Sequence, residues 1–111
     1  MELPVVDKQE ALARLDGDQE LWDEIRAIWL ADARGLFEVV AQAAESRSSE
    51  SLRRAAHALK GASANVGAVR VTAAARELEL RSVEADWDRL AALLAKLREE
   101  TDIALRELPL A

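Results

Sequence analysis

Between Val5 and Leu108 the chain contains no proline, and its apolar residues recur at intervals of three and four. That combination constrains the fold more than any other feature. A 3-and-4 spacing places apolar side chains along one stripe of an α-helix, and strand-like alternation is absent. Asp7, with Glu10 where a capping box wants an acid, opens a short helix that runs to about Leu15 and ends at Asp16-Gly17. Asp18 caps a longer helix whose stripe reads Leu21, Ile25, Ile28, Leu36, Val39 and Ala43, with Trp22, Trp29 and Val40 beside it. Asp32 interrupts that line and is expected at its edge, reaching water, because an unpaired buried charge is costly.

The polar run from Glu45 to Ser51 is a connector, with Ser48 or Ser49 ready to cap the next helix. That helix carries Leu52, Ala56, Leu59, Ser63 and Val66 on one face and stops at Gly67. A fourth uses Val71, Ala74, Ala75 and Leu78. Asp86 caps a fifth, with the stripe Trp87, Leu90, Leu94, Leu97, Thr101, Ala104 and Leu108, closed by Pro109. The expected fold is all-α: an up-down-up-down four-helix bundle with a short extra N-terminal helix, residues 1–111 forming a single domain. The three tryptophans are expected in the core.

Composition excludes several functions. There is no cysteine and one histidine, so neither a thiolate site nor a histidine-based metal site is expected. No apolar run is long enough to span a membrane, and MELPVVDKQE does not look like a signal peptide, which points to the cytoplasm. A net charge of −6 argues against nucleic-acid binding. The charge is unevenly spread, however. From Ser51 to Arg76 there are five cations (Arg53, Arg54, Lys60, Arg70 and Arg76) and no acid, which reads as a basic patch around His57.

His57 is the residue to explain. On a helical wheel it lies about 140° from Leu52, well off the core stripe, so a buried structural histidine is excluded by angle. Its helical neighbours are Arg53, Lys60, Gly61 and Ala64. Gly61 costs about 1 kcal/mol relative to alanine inside a helix. It faces away from the core, so with Ala64 it leaves a low, bare surface that another protein could approach. Lys60 and Arg53 disfavour imidazolium and can pair with a phosphoryl group if the ring acquires one. None of the four helical neighbour positions holds a carboxylate to orient the ring, and there is no nucleotide motif. A nucleophile of this kind needs a partner to bring the phosphoryl donor.

The run from His57 to Gly67, HALKGASANVG, closely resembles the HxLKGSSxxxG signature of histidine-containing phosphotransfer (HPt) domains of bacterial two-component phosphorelays. The Asp18 start of the long helix, the Leu78-Glu79 pair and the leucine-rich last helix also sit where that family has equivalents. The resemblance implies that His57 accepts the phosphoryl group on Nε2 and that Lys60 offsets its charge. It also implies that Gly61 makes room for a partner receiver domain and that Gly67 ends the helix. Ala62 departs from the family, which often has serine there. Arg53 as a phosphate support and Ala64 as a docking residue rest on charge and position alone.

The resemblance implies a phosphorelay carrier that takes its phosphoryl group from a receiver aspartyl phosphate and passes it to another receiver. Such a carrier has no kinase activity and no cofactor of its own, the Mg²⁺ being held by the receiver. Its partners would be the receiver domains of response regulators or of a hybrid sensor histidine kinase. A monomer is expected, because Trp87, Leu90 and Leu94 are needed to close its own core rather than to pair between chains. The starting methionine favours a free-standing protein over a domain cut from a hybrid kinase. The runner-up is a helical adaptor that docks receivers without carrying phosphate. Val69, Ala73 and Leu80 form a second apolar stripe on the fourth helix, which could add to a docking surface.

Overall fold

The computed structural model describes residues 2–111. Five α-helices follow one another: α1 (Lys8–Arg14), α2 (Gln19–Glu45), α3 (Ser49–Val66), α4 (Val69–Arg81) and α5 (Trp87–Glu107). Short 3₁₀ turns occupy Ser82–Glu84 and Leu108–Leu110. Helices α2 to α5 close into a four-helix bundle, each packing on its chain neighbour and α2 also on α5, while α1 covers one end against α2 and α3. Among the described residues, no helix is long and apolar enough to cross a membrane.

Local chemistry starts and stops these helices. Carboxylate oxygens of Asp7, Asp18 and Asp86 accept from the backbone N–H of Glu10, Leu21 and Arg89, and the Ser48 hydroxyl accepts from Ser51. Each such cap stabilises its helix by about 1 kcal/mol. The caps are the four expected from the sequence, with Ser48 rather than Ser49 in the third. Gly67 closes α3 at φ +83°, in the left-handed region. A Cβ there would also stand 2.5 Å from the Asp7 carbonyl oxygen, so glycine is required twice over. Asp7 N–H donates to the Gly67 carbonyl at 2.8 Å, tying the N-terminal segment to the end of α3.

The core-facing stripes of α3 and α5 lie where the periodicity places them. Leu52, Ala56, Leu59, Ser63 and Val66 are all buried, as are Leu90, Leu97, Thr101, Ala104 and Leu108, while Leu94 of the expected α5 stripe is half-buried. The stripe of α2 is corrected. Its buried residues are Trp22, Trp29, Ala33, Phe37, Val40 and Ala43, whereas Leu21, Ile28 and Val39 are exposed. The helix is therefore rotated by about 80° from the expected face. The aromatic row wins because it buries more area and because both indoles find acceptors on α3. Trp22 Nε1 donates to the Val66 carbonyl and Trp29 Nε1 to the Ser63 hydroxyl, each at 3.1 Å. Asp32, on the outward row, is exposed as expected. Trp87 is only half-buried, so core placement holds in full for Trp22 and Trp29 alone.

Candidate functional site

Helices α3 and α4 are joined by Gly67 and Ala68 and run antiparallel. The row Arg53, His57, Lys60, Gly61 and Ala64 on α3 therefore faces the row Thr72, Arg76, Glu79, Leu80 and Val83 on α4 and its 3₁₀ extension. All of these except His57 line one open groove, and His57 is bonded to one of them. The His57 side chain is 64% exposed.

The sequence reading noted Glu79 only within the Leu78-Glu79 family match and missed its place at the site. Its Oε2 lies 2.6 Å from His57 Nδ1 and its Oε1 lies 2.6 Å from Lys60 Nζ. One carboxylate thus clasps the two residues that the helix wheel singled out. Lys60, and then His57, hold the Glu79 carboxyl below its usual range, against burial that pushes the other way. An ionised carboxylate can only accept, so Nδ1 must carry the proton and donate it. In the neutral ring the lone pair is then on Nε2, at the far edge of an exposed ring. Glu79 does what no helical neighbour of His57 can.

Counting outward equally from Gly67 and Ala68, His57 is opposed by Leu78 and its neighbour Glu79, since both helices rise equally per residue. That count was the available signal. A wheel drawn for α3 alone could not contain it.

The expected basic patch around His57 is corrected as well. Arg53 and Arg54 both turn back to Glu50, at 2.7 and 3.0 Å. Arg70 points to the opposite side of α4, where its Nε donates to the Leu3 carbonyl at 2.6 Å and lies 4.0 Å from the buried Glu100. Lys60 is held by Glu79. A run of cations without intervening acids is not a patch once helices wind it around the bundle and acids approach from elsewhere. Arg53 borders the groove, but its guanidinium is engaged with Glu50.

Gly61 is exposed, and a Cβ built on it meets nothing within 4 Å. Ala64 beside it is half-buried, its carbonyl accepting from Arg14 at 3.4 Å. Leu80 and Val83, 56% and 77% exposed, form an apolar rim on the α4 side. The expected Val69, Ala73 and Leu80 stripe is divided: Leu80 joins this rim, while Ala73 lines the α4–α5 cleft with Arg70. On the other flank of α3, the outward row of α2 makes a second apolar cleft, with Ile25, Ile28 and Leu36 beside Ala62. Among the described residues, no three His, Cys, Asp or Glu side chains converge as a metal site.

A family model described as the Hpt domain matches residues 24–105. The crystal structure of histidine-containing phosphotransfer protein B (HptB) from Pseudomonas aeruginosa PAO1 is similar in fold, with a TM-score of 0.84 at 21% sequence identity, covering 97% of this chain and 94% of that one. No curated protein sequence matches the chain.

Proposed function

The chain belongs to the Hpt domain family, and from that premise we propose that it is a phosphorelay carrier with His57 as the acceptor. The Nε2 lone pair attacks the phosphorus of a receiver aspartyl phosphate. The P–O bond to the aspartate breaks, its electron pair leaves on the carboxylate, and a P–N bond forms. The Nδ1 proton stays in its hydrogen bond to Glu79 throughout, so the imidazolium character of the phosphorylated ring faces a fixed negative charge. Return of the group to a second receiver reverses these bonds. Mg²⁺ belongs to the receiver, and the carrier supplies no nucleotide site and no kinase activity.

One observation carries this reading: the 2.6 Å bond from Nδ1 to Glu79 on a ring that is 64% exposed. It fixes the tautomer that a phosphoryl acceptor needs and leaves the reactive edge reachable. The open ground above Gly61 supports approach of a receiver domain, and the apolar residues on both flanks of α3 give it surface to bury. Residues 1–111 act as one domain and one copy, in the cytoplasm with the response regulators or hybrid kinase it serves. A helical adaptor without chemistry would use the same surface and have no need of the clasp.

The test is transfer of labelled phosphate from a phosphorylated receiver to wild type and His57→Gln. Acid-labile label on the wild type, absent from a mutant of unchanged helicity, is the expected result. Label that persists in His57→Gln sinks the carrier reading. Binding of the receiver without labelling of either protein leaves the adaptor in its place.

A further inference from the structure

We propose that Arg76 holds the phosphoryl group once it is on His57, an inference that rests on the carrier reading. Of the five cations between Ser51 and Arg76, four are already committed to other groups. Arg53 and Arg54 share Glu50, Lys60 is on Glu79, and Arg70 is on the Leu3 carbonyl across α4. Arg76 is exposed and, among the described residues, makes no ion pair and no side-chain hydrogen bond. It lines the groove shared by Lys60, Gly61 and Glu79. It stands three residues before Glu79, hence on the same face of α4.

Charge explains why a further cation is needed. A phosphoryl group on Nε2 adds roughly two negative charges beside a carboxylate that is already there. Lys60 is what keeps Glu79 neutralised at 2.6 Å, and the Glu79 side chain is only 16% exposed. Moving Lys60 wholly onto the phosphoryl group would strip a largely buried carboxylate of its partner, which is costly. Arg76 removes that conflict. Its guanidinium can present two parallel N–H donors to phosphoryl oxygens while Lys60 stays on the clasp. The groove it lines is low on the α3 side, since a Cβ on Gly61 would meet nothing within 4 Å. Arg76 is a positioning residue for the phosphorylated state and is idle before it.

The experiment loads the histidine without any receiver. Potassium phosphoramidate phosphorylates it directly: Nε2 attacks phosphorus, the reagent's P–N bond breaks, and ammonia leaves. Phosphorus NMR then follows the second ionisation of the phosphoryl group and the lifetime of the phosphohistidine. Arg76→Gln should raise that ionisation and shorten the lifetime by about two- to fivefold, the size expected of an exposed ion pair. Arg76→Lys should recover part of both. Arg98→Gln, which removes a guanidinium 4.7 Å from the Phe37 ring, is the control and should change neither. An ionisation unmoved in Arg76→Gln, or moved as far in Arg98→Gln, overturns the proposal whatever the lifetime does. Failure of receiver transfer in a wild type whose Arg76 variants titrate as described would sink the carrier reading alone.

Discussion

The two faces of α3 share one helix of eighteen residues and answer to different constraints. On the inner face, every residue is accounted for by something it touches. Leu52, Leu59 and Val66 are fully buried, Ser63 accepts from Trp29, and the Val66 carbonyl accepts from Trp22. On the outer face, the same kind of accounting stops short. Gly61 has nothing against it, and the proton on His57 Nδ1 is held by a neighbouring helix although the ring itself is left open. Gly61 weakens its own helix while a β-carbon on it would meet nothing within 4 Å, which under the proposed function is the room a receiver needs. Two glycines, one inside α3 and one at its C-cap, make the contrast sharp: the fold requires Gly67 and gains nothing from Gly61.

The largest effect should come from breaking the inner constraint. Gly67→Ala places a β-carbon in left-handed backbone and 2.5 Å from the Asp7 carbonyl oxygen. The backbone cost and the displaced N-terminal segment together should lower stability by about 2–4 kcal/mol. Urea unfolding followed by helical ellipticity measures it. A loss under about half a kcal/mol would mean that neither the left-handed backbone nor the Asp7 contact constrains this position.

Next in size is the clasp that joins the two faces. Glu79→Gln keeps the shape but removes the charge that fixes the Nδ1 proton and holds Lys60. Transfer to His57 should slow by about tenfold through loss of the favoured tautomer and ring orientation. Nitrogen NMR of the imidazole supplies a readout that mere loss of packing would not move, since the fraction protonated on Nδ1 should fall in parallel. An unchanged tautomer with an unchanged rate would reduce Glu79 to a surface ion pair.

Much of this arrangement was legible in the sequence, and most of what was not legible shares one cause. Caps, helix ends and the α3 and α5 stripes depend on residues within a turn or two of each other, and Asp7, Asp18, Ser48, Asp86 and Gly67 all stand where spacing puts them. His57 could be placed on the outer face for the same reason. Where the reading went wrong, the deciding interaction came from a distant part of the chain, except at Arg53 and Arg54, whose partner Glu50 lies one turn away on α3. The face of α2 was settled by indole N–H groups finding acceptors on α3, so Leu21, Ile28 and Val39 were displaced outward by Trp22, Trp29 and Phe37. The cation run was dispersed by Glu50 within its own helix, by Glu79 from α4 and by Leu3 from the N-terminal segment. Glu79 lies twenty-two positions from His57, beyond any single wheel, although the tight α3–α4 turn sets the register between them.

The smallest expected effect is the most diagnostic, because its two readouts should move in opposite directions. Gly61→Ala adds a methyl group into open space on an exposed helical position. Removing glycine's backbone freedom from the unfolded chain should stabilise the domain by up to about 1 kcal/mol. The same methyl group stands on the ground that an incoming receiver would cover, so affinity for the receiver, measured by calorimetry, should fall. A fold made more stable together with a weaker complex separates what the bundle needs from what its partner needs. Higher stability with unchanged affinity would leave Gly61 without a reason on either side and would move the docking surface away from it, toward the apolar rows of Ile25, Ile28 and Leu36 or of Leu80 and Val83.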